Sequence, residues 1–461
     1  MDKNKNENIE TIQNRAANDM VVLLEFWKEK KRKLRIYRYC LLAAIVLCLT
    51  TMLGVGYVYL DQKIPSQIRL KANTEQVLNL QVPLTAQVVA VSDTSEGWKS
   101  SSGNGSAERE GLTFRLDRAV HITPGTAERY LMDVRLFGLI PVKQVGIQVM
   151  EEQELIPMGI PVGIYLETDG LLVLETGSFT DSGGIERTPA QNLLFPGDYI
   201  RLFNGQPIPN KEVFMEMIQG AGERLVALTV ERDGNMIEVG LTPVSNENGE
   251  YKLGIWVRDN TQGVGTMTYV DVNGKFGALG HGINDTDTGT LMKISDGTLY
   301  HTEIVDIRQG EEGTPGEMTG MIIYASKYIM GDVDVNSEVG IYGTCDLSLP
   351  EMAGKETLPI ALKQEIHKGS AQILCTVAQE PMYFDVEITD VRLNSTDMNR
   401  GIELRVTDPV LLEKTGGIVQ GMSGSPVIQN GRIVGAVTHV LVNDPTRGYG
   451  IFIENMLEAA K

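Results

Sequence analysis

The chain has 461 residues, with 41 Lys and Arg against 60 Asp and Glu, which gives a formal net charge of −19. This length accommodates several domains, and 42% apolar with 22% charged residues is the composition of a globular chain. The acidic balance argues against binding to nucleic acid, whose phosphates need an excess of Lys and Arg.

The N-terminal region predicts a membrane anchor. Residues 1–38 hold ten Lys or Arg and six Asp or Glu, and residues 39–60 hold neither kind. About 20 apolar helical residues cross the hydrocarbon core of a bilayer, so 39–60 is predicted to be a transmembrane helix. The basic segment before it places the N-terminus in the cytoplasm and everything from Asp61 outside. A cleaved signal peptide is the alternative, but the apolar stretch is too long for one.

Residues 61–133 are predicted to be an extracytoplasmic linker region. Short alternating apolar runs lead into a polar stretch at 95–111 that is rich in Gly and Ser. Such a composition is typical of an exposed loop.

Residues 134–244 are predicted to form one compact module. Strand candidates at 163–166 and 171–175 precede a Gly-Asp-x-Ile-x-x-x-Asn-Gly run at 197–205, a helical segment at 210–218 and a β-branched strand at 225–231. This order and this signature resemble a PDZ domain.

In PDZ domains, a loop before the second strand presents backbone N–H groups to the C-terminal carboxylate of a peptide, which joins the sheet as a further strand. The resemblance assigns peptide binding to Gly159, Ile160, Val162, Gly163 and Ile164. Pro161 departs from the family loop because it has no N–H to donate. A plain β-hairpin with glycines in its turns is the alternative.

Residues 252–461 contain many short β-like runs separated by glycine turns. The clearest of these runs are 265–270, 320–324, 371–377, 385–388 and 401–406. Many short strands with few helical periods indicate an all-β barrel or sandwich, and roughly 200 residues suffice for two small barrels.

The strongest chemical signal is Gly-Met-Ser-Gly-Ser-Pro at 421–426, followed by an Asn-Gly turn between two apolar runs. Ser423 would lie on a glycine-flanked turn, where small neighbours let a substrate carbonyl approach its hydroxyl. The N–H groups of Gly421 and Ser423 could converge on one oxyanion. The segment resembles the serine box of trypsin-like peptidases, and a purely structural turn is the alternative.

A nucleophilic serine needs a base, and the chain has five histidines. His281 is the best candidate because glycines on both sides leave its ring an open face, and because it precedes the serine as in trypsin-like enzymes. His439, after the serine hairpin, is the second candidate. Asp408, at the end of a predicted strand, is the candidate for the orienting carboxylate; Asp285 and Asp287 lie closer to His281 but fall in a polar turn.

The sequence predicts no metal site and no cofactor. It contains no Cys-x-x-Cys, no His-Glu-x-x-His and no His-rich tract, which are the spacings that structural and catalytic zinc require.

Taken in order, the anchor and the later motifs resemble the stage IV sporulation protein B (SpoIVB) serine peptidases of endospore-forming bacteria. The likeness runs from about residue 134 to the end and is carried by 276–283, 313–317, 414–426, 437–440 and 443–446. It implies a mainly β chain with a transmembrane helix, a PDZ domain and a trypsin-like peptidase of two β-barrels. It also implies a triad of Ser423 as nucleophile, His281 as general base and acid, and Asp408 as orienting carboxylate.

The resemblance further implies a regulated endopeptidase in the space between the forespore and mother-cell membranes. Its expected substrate is the extracytoplasmic region of a membrane-bound regulator, and also itself, which releases the intramembrane processing of pro-sigma-K. The PDZ module is expected to hold that partner, control self-cleavage or mediate self-association. The residues alone indicate an exported serine peptidase with a peptide-binding module. The alternative is a membrane-anchored PDZ scaffold that binds peptides without cutting them.

Overall fold

A computed structural model describes residues 3–78, 80–90, 112–125, 129–352 and 354–460 of the chain. The polar stretch predicted at 95–111 lies outside these residues.

The first element is one long helix, α1 (Lys3–Lys63). Its segment Lys30–Asp61 is long and apolar enough to cross a membrane, and none of its most apolar window is buried by the rest of the protein. An uncovered apolar helix of this length is what a lipid-facing span requires. The prediction of an N-terminal helix that could span a membrane is therefore confirmed.

The region after α1 is folded, which corrects the predicted linker at 61–133. Its strands are β1 (Gln67–Lys71), β2 (Gln76–Leu78), β3 (Thr85–Ala90), β4 (Leu112–Arg115), β5 (Val120–Ile122), β6 (Arg129–Leu136) and β7 (Ile140–Met150). Five of them form a sheet in the order β1-β7-β6-β3-β4, and β2 pairs with β5. Alternate side chains of β6 and β7 are buried, including Met132, Val134 and Val145. Residues 134–150 therefore belong to this sheet, where the prediction had begun the PDZ module.

The chain then builds a barrel and an inserted lobe. The elements are β8 (Glu154–Thr176), β9 (Phe179–Thr180), β10 (Glu186–Arg187), β11 (Tyr199–Phe203), β12 (Gln206–Pro207), α2 (Lys211–Ala221), β13 (Val226–Arg232), β14 (Asn235–Leu241), β15 (Val244–Ser245), β16 (Tyr251–Lys252), β17 (Ile255–Val270), β18 (Lys275–Ala278), β19 (Ile294–Arg308), β20 (Glu317–Ile322), β21 (Ile329–Ser337), β22 (Gly340–Cys345) and β23 (Leu358–Pro359). Strands β8, β17, β18, β22, β21 and β19 pair in succession, and β19 pairs back with β8. These six strands close the first barrel.

The lobe lies between β8 and β17 in the chain and has its own core, in which Phe214 and Ile218 of α2 pack against β11 and β13. Asn210 caps α2 by accepting a hydrogen bond from the N–H of Val213 at 2.9 Å. Strand, helix and strand follow in the order predicted for 197–231. The lobe extends from the outer ends of β8 and β17, so the first barrel begins before it and not at residue 252.

The segment predicted to bind a peptide carboxylate is not a loop, and this prediction is wrong. The residues in question, all within β8, are Gly159, Ile160, Val162, Gly163 and Ile164. Val162, Gly163 and Ile164 pair with β17 on one side and β19 on the other, and Ile160 pairs with β17, so the ladder already occupies most of the backbone groups that a peptide would need. The glycines permit close packing: a Cβ on Gly159 would lie 2.6 Å from the carbonyl oxygen of Leu374, in the neighbouring barrel.

The second barrel follows, and it confirms the predicted mainly β fold with two barrels. Its elements are β24 (Gly369–Thr376), β25 (Pro381–Val391), β26 (Ile402–Val406), α3 (Pro409–Thr415), β27 (Pro426–Gln429), β28 (Arg432–Leu441), β29 (Asp444–Phe452) and α4 (Ile453–Ala459). Six of these strands close in the order β24-β25-β26-β29-β28-β27. Short 3-10 helices lie at Ser326–Tyr328, Pro350–Met352, Lys363–Glu365 and Met398–Arg400.

The N-terminal sheet is joined to the end of the chain by a buried ion pair. Arg69 of β1 contacts the carboxylates of Glu454 and Glu458 on α4 at 2.8 and 2.7 Å. The side chains of Arg69 and Glu454 are 9% and 5% exposed, so each charge depends on the other for compensation. The sheet beside the membrane helix is therefore held against the peptidase barrels.

We predict that Arg69→Ala destabilises this junction. The substitution leaves the buried Glu454 charge without its cation, which costs about 3 kcal/mol. Urea unfolding of the full chain in detergent should show the loss. Arg115→Ala is the matched control, because the ion pair of Arg115 with Asp117 is largely exposed and should contribute little. Equal midpoints for the two variants would contradict the assignment.

Candidate active site

Ser423 lies in the turn that leads into β27, where the second barrel meets the first. Its carbonyl accepts a hydrogen bond from the N–H of Thr266 in β17 at 3.1 Å. The hydroxyl of Thr266 donates to the carbonyl of Gly421 at 2.7 Å. The turn that carries the serine is therefore fixed by a strand of the other barrel.

The glycine after the serine is required by this packing. Gly424 has φ 99°, and a Cβ there would lie 2.0 Å from the carbonyl oxygen of Thr266 and 2.6 Å from the nitrogen of Leu279. Only glycine combines that backbone conformation with so close an approach. The Ser-Gly pair in the motif thus has a structural cause.

His281 reaches the same junction from the first barrel. It follows β18 through Leu279 and Gly280, which both have positive φ, at 68° and 71°. A Cβ on Gly280 would lie 3.0 Å from Cγ2 of Thr438 in β28, so this turn packs directly on the second barrel. The structure therefore brings the predicted serine and histidine to one interface, from two different barrels.

His439, the second candidate base, lies beside His281. The two ring centroids are 5.2 Å apart and the ring planes are inclined by 38°. The hydroxyl of Ser423 donates to the carbonyl of Thr438, the residue before His439, at 2.6 Å. The site thus contains one serine and two imidazoles, and in this state the serine proton is held by a backbone carbonyl.

The surroundings of His281 favour the base form. Burial lowers the pKa of the His281 imidazole, and the hydrogen bond to the carbonyl of Gly282 offsets part of that effect. Nδ1 lies 2.9 Å from the Gly282 oxygen. Because a carbonyl only accepts, Nδ1 carries the proton and Nε2 is left free to take one.

The imidazole of His439 is also held towards its neutral form. Its side chain reaches solvent, but partial burial lowers its pKa, and the nearby His281 and Arg400 lower it further. Asp397 acts in the opposite direction and raises it. Sequence reasoning did not single out Asp397, which lies in an irregular polar segment with no motif.

The serine turn offers two donors to an oxyanion. The N–H of Met422 donates to Val419, and that of Gly424 donates to Val437 at 2.8 Å. Within the described part of the chain, the N–H groups of Gly421 and Ser423 donate to no protein acceptor. Two unpaired donors beside a serine hydroxyl are what stabilisation of a tetrahedral intermediate requires.

Asp408 has a different role in this structure from the one predicted. One of its carboxylate oxygens accepts from the N–H groups of Val410 and Leu411, at 2.9 and 3.1 Å, which caps α3. The other oxygen accepts from the N–H of Asp385 at 3.3 Å. No hydrogen bond joins Asp408 to a histidine among the described residues.

The strand register also places Asp408 apart from the histidines. His439 and Glu403 both pair with Tyr449, so Glu403 is the residue of β26 that is level with His439. Asp408 lies beyond Val406, the last residue of β26, at the start of α3 and not at the level of His439. The predicted Ser423–His281–Asp408 triad is therefore not assembled by these contacts.

The aspartates close to His281 in sequence are also occupied. Asp285 and Asp287 both pair with Arg258, and the carboxylate of Asp285 is fully buried. Thr288 donates to Asp285 as well, through its N–H and its hydroxyl. These interactions order the loop after His281. The His281 ring is therefore bonded to the Gly282 carbonyl and not to either aspartate.

Two closed six-stranded barrels with this serine at their junction define a serine peptidase. Residues 249–457 match the family model described as SpoIVB peptidase S55. This match confirms the predicted resemblance to the SpoIVB peptidases and the predicted enzyme class, a serine peptidase. The first strand of the first barrel, β8, lies upstream of the matched residues.

Comparison with other proteins adds distant neighbours. The chain matches no curated protein. The active form of the Rv3671c protease from M. tuberculosis matches at 15% identity with a TM-score of 0.27, covering 43% of this chain and 74% of that one. Its inactive form matches at 14% identity with a TM-score of 0.25, covering 42% and 82%.

We predict that Asp408→Asn retains peptidase activity, because an Asn oxygen caps a helix as well as an Asp oxygen does. Asp408→Ala should lower the free energy of unfolding by about 1 kcal/mol, because the cap is lost. Rates with a peptide substrate and urea unfolding curves measure the two effects. A roughly 10⁴-fold loss in the Asn variant would instead show that Asp408 orients the base.

The pH profile should reflect the low pKa of His281. The imidazole must be unprotonated to accept the serine proton, so activity is present above its pKa and is lost as the pH falls through it. Because burial lowers that pKa, the acid limb of kcat/KM should lie below about 6.5, the ordinary histidine value. The limb should remain in His439→Gln. A limb at or above neutrality would contradict the assigned environment.

Proposed function

We propose that the chain is an endopeptidase in which Ser423 is the nucleophile and His281 the general base and acid. The observation that carries the proposal is the junction itself, where a serine hydroxyl, a neutral imidazole and two free N–H donors meet. His281 takes the serine proton as the oxygen attacks the scissile carbonyl, and it returns a proton to the leaving amine. The N–H groups of Gly421 and Ser423 hold the oxyanion. Water then hydrolyses the acyl-enzyme.

The proposed orienting group for His281 is the Gly282 carbonyl. It fixes the Nδ1–H tautomer as a carboxylate would, without placing a negative charge in the buried site. One rearrangement is required before catalysis, because the hydroxyl of Ser423 donates to Thr438 in this state. A rotation to another staggered χ1 rotamer breaks that bond and allows the hydroxyl to turn towards the histidine.

The proposed substrate is a protein at the membrane. A helix able to span a bilayer and a peptidase domain occur in one chain, so the enzyme acts close to the bilayer surface. The SpoIVB resemblance points to the extracytoplasmic region of a membrane regulator, whose cleavage triggers the intramembrane processing of pro-sigma-K. It also points to self-cleavage, and to the space between the forespore and mother-cell membranes as the compartment. The lobe inserted between β8 and β17 is the proposed site for holding the partner or a second copy.

Labelling with a fluorophosphonate tests the proposed catalytic pair. Ser423→Ala should abolish labelling, and His281→Gln should slow it by about 10²- to 10⁴-fold, the usual contribution of a general base. Ser425→Ala is the matched serine control, because that hydroxyl is buried and has no hydrogen-bond partner among the residues that the structure describes. His121→Gln is the control for loss of an exposed imidazole.

Two outcomes would contradict the proposal. Labelling that persists in Ser423→Ala would place the nucleophile elsewhere. Labelling that survives His281→Gln but is lost in His439→Gln would make His439 the base.

A further inference from the structure

The turn between β6 and β7 presents a cluster of apolar side chains to its surroundings. Phe137, Leu139 and Ile140 are 80%, 81% and 57% exposed. The turn is tight: the N–H of Leu139 donates to the carbonyl of Leu136 at 3.1 Å, and Phe137 and Gly138 both have positive φ, at 54° and 74°. The three apolar side chains are therefore held outward by an ordered hairpin. We call residues 137–140 the hairpin tip.

This hairpin is fastened to the end of the membrane helix. The hydroxyl of Tyr57 in α1 donates to the carbonyl of Val142 at 3.5 Å. The ammonium group of Lys143 donates to the carbonyls of Asp61 and Ile64 at 3.1 and 2.9 Å, and it lies 3.0 Å from the Asp61 carboxylate. Strand β7 thus starts alongside the last turns of α1.

The contacts also fix the direction in which the hairpin runs. Lys143 is level with Asp61, and Val142 is level with Tyr57, so going back along β7 means going back along α1. Ile140, the first residue of β7, lies two residues before Val142, roughly 7 Å further at about 3.4 Å per strand residue. At 1.5 Å per helical residue that is about four or five residues before Tyr57. The hairpin tip is therefore level with the uncharged part of the span.

The charge pattern of the hairpin fits the same depth. Residues 136–142 contain no charged side chain, and Arg135 and Lys143 flank them on both strands. Lys143 is bound to the end of α1, and Arg135, whose side chain is 42% exposed, can meet lipid phosphates while the apolar residues of the hairpin tip pass below the headgroups. An exposed apolar cluster is unfavourable in water, but next to a membrane span the same cluster is stabilised by contact with the hydrocarbon of the bilayer.

We propose that the hairpin tip inserts into the outer leaflet of the bilayer next to α1 and forms a second membrane contact. This inference rests on the part of the proposed function in which α1 spans the membrane. One helix alone leaves the outer domains free to rotate and tilt about its end. Because the sheet that carries the hairpin is ion-paired to α4 through Arg69, the second contact fixes the height and orientation of the peptidase barrels above the bilayer.

A depth measurement on the full chain tests the proposal. The native cysteines Cys40, Cys48, Cys345 and Cys375 are replaced by serine or alanine, and single cysteines are introduced by Leu139→Cys, Val272→Cys and Met52→Cys. Each carries an environment-sensitive NBD fluorophore in vesicles of phosphatidylcholine and phosphatidylglycerol. Val272 is the matched control, since it is 65% exposed on the turn between β17 and β18, and Met52 reports the span.

The expected result is that the probe at 139 is quenched by doxyl groups on the lipid acyl chains and is shielded from aqueous iodide, as at 52. The probe at 272 should show the reverse. Iodide quenching at 139 equal to that at 272, with 52 still shielded, would overturn the inference while leaving the anchor intact. Iodide quenching at 52 as well would overturn the anchor and the inference together. Retained fluorophosphonate labelling in each variant confirms that the peptidase is folded.

Discussion

The active site depends on one close contact, in which the turn after Ser423 packs against the backbone of the first barrel. Gly424 allows the approach, and Thr266 holds the turn from both sides through its N–H and its hydroxyl. The serine belongs to one barrel and the histidine to the other. Their alignment therefore requires the barrels to remain docked, and any side chain at 424 would push them apart.

The same strand that holds the serine turn also carries the inserted lobe. Strand β17 begins beside the lobe, where Ile255 pairs with Thr176, and passes the active site, where Thr266 contacts Ser423. It pairs with β8 over this length, with shifts of register at Trp256/Val257 and Arg258/Asn260. The first barrel stays intact despite the long insertion between its first two strands, because β8 and β17 extend beyond the barrel to the lobe. The candidate docking lobe and the catalytic junction are therefore connected by the same two strands.

Local signals in the sequence predicted the parts of the site that local geometry creates. The serine turn was visible because its glycines and the Asn430-Gly431 hairpin have fixed backbone requirements. The glycines around His281 were visible for the same reason. Asp408 was assigned by resemblance, although Asp-Pro before an apolar run is also the signal of a capped helix, and that is how the structure uses it.

The long-range parts of the fold could not be predicted in this way. Residues 158–164 were assigned to a peptide-binding loop by resemblance to PDZ domains, but pairing with β17 about 100 residues later makes them part of a barrel strand. The sheet after α1 combines short strands from either side of a polar stretch, so its existence depends on tertiary pairing. The orienting carbonyl of Gly282 has no sequence signal, because every residue carries one.

We propose that Ser423, His281 and the two unpaired N–H groups form one catalytic centre. A crystal structure of the fluorophosphonate adduct would test this arrangement. We expect phosphorus on the Ser423 oxygen, a phosphoryl oxygen within about 3 Å of the nitrogens of Gly421 and Ser423, and the His281 ring facing the adduct. Phosphorus on another serine, or a phosphoryl oxygen turned away from both nitrogens, would contradict it.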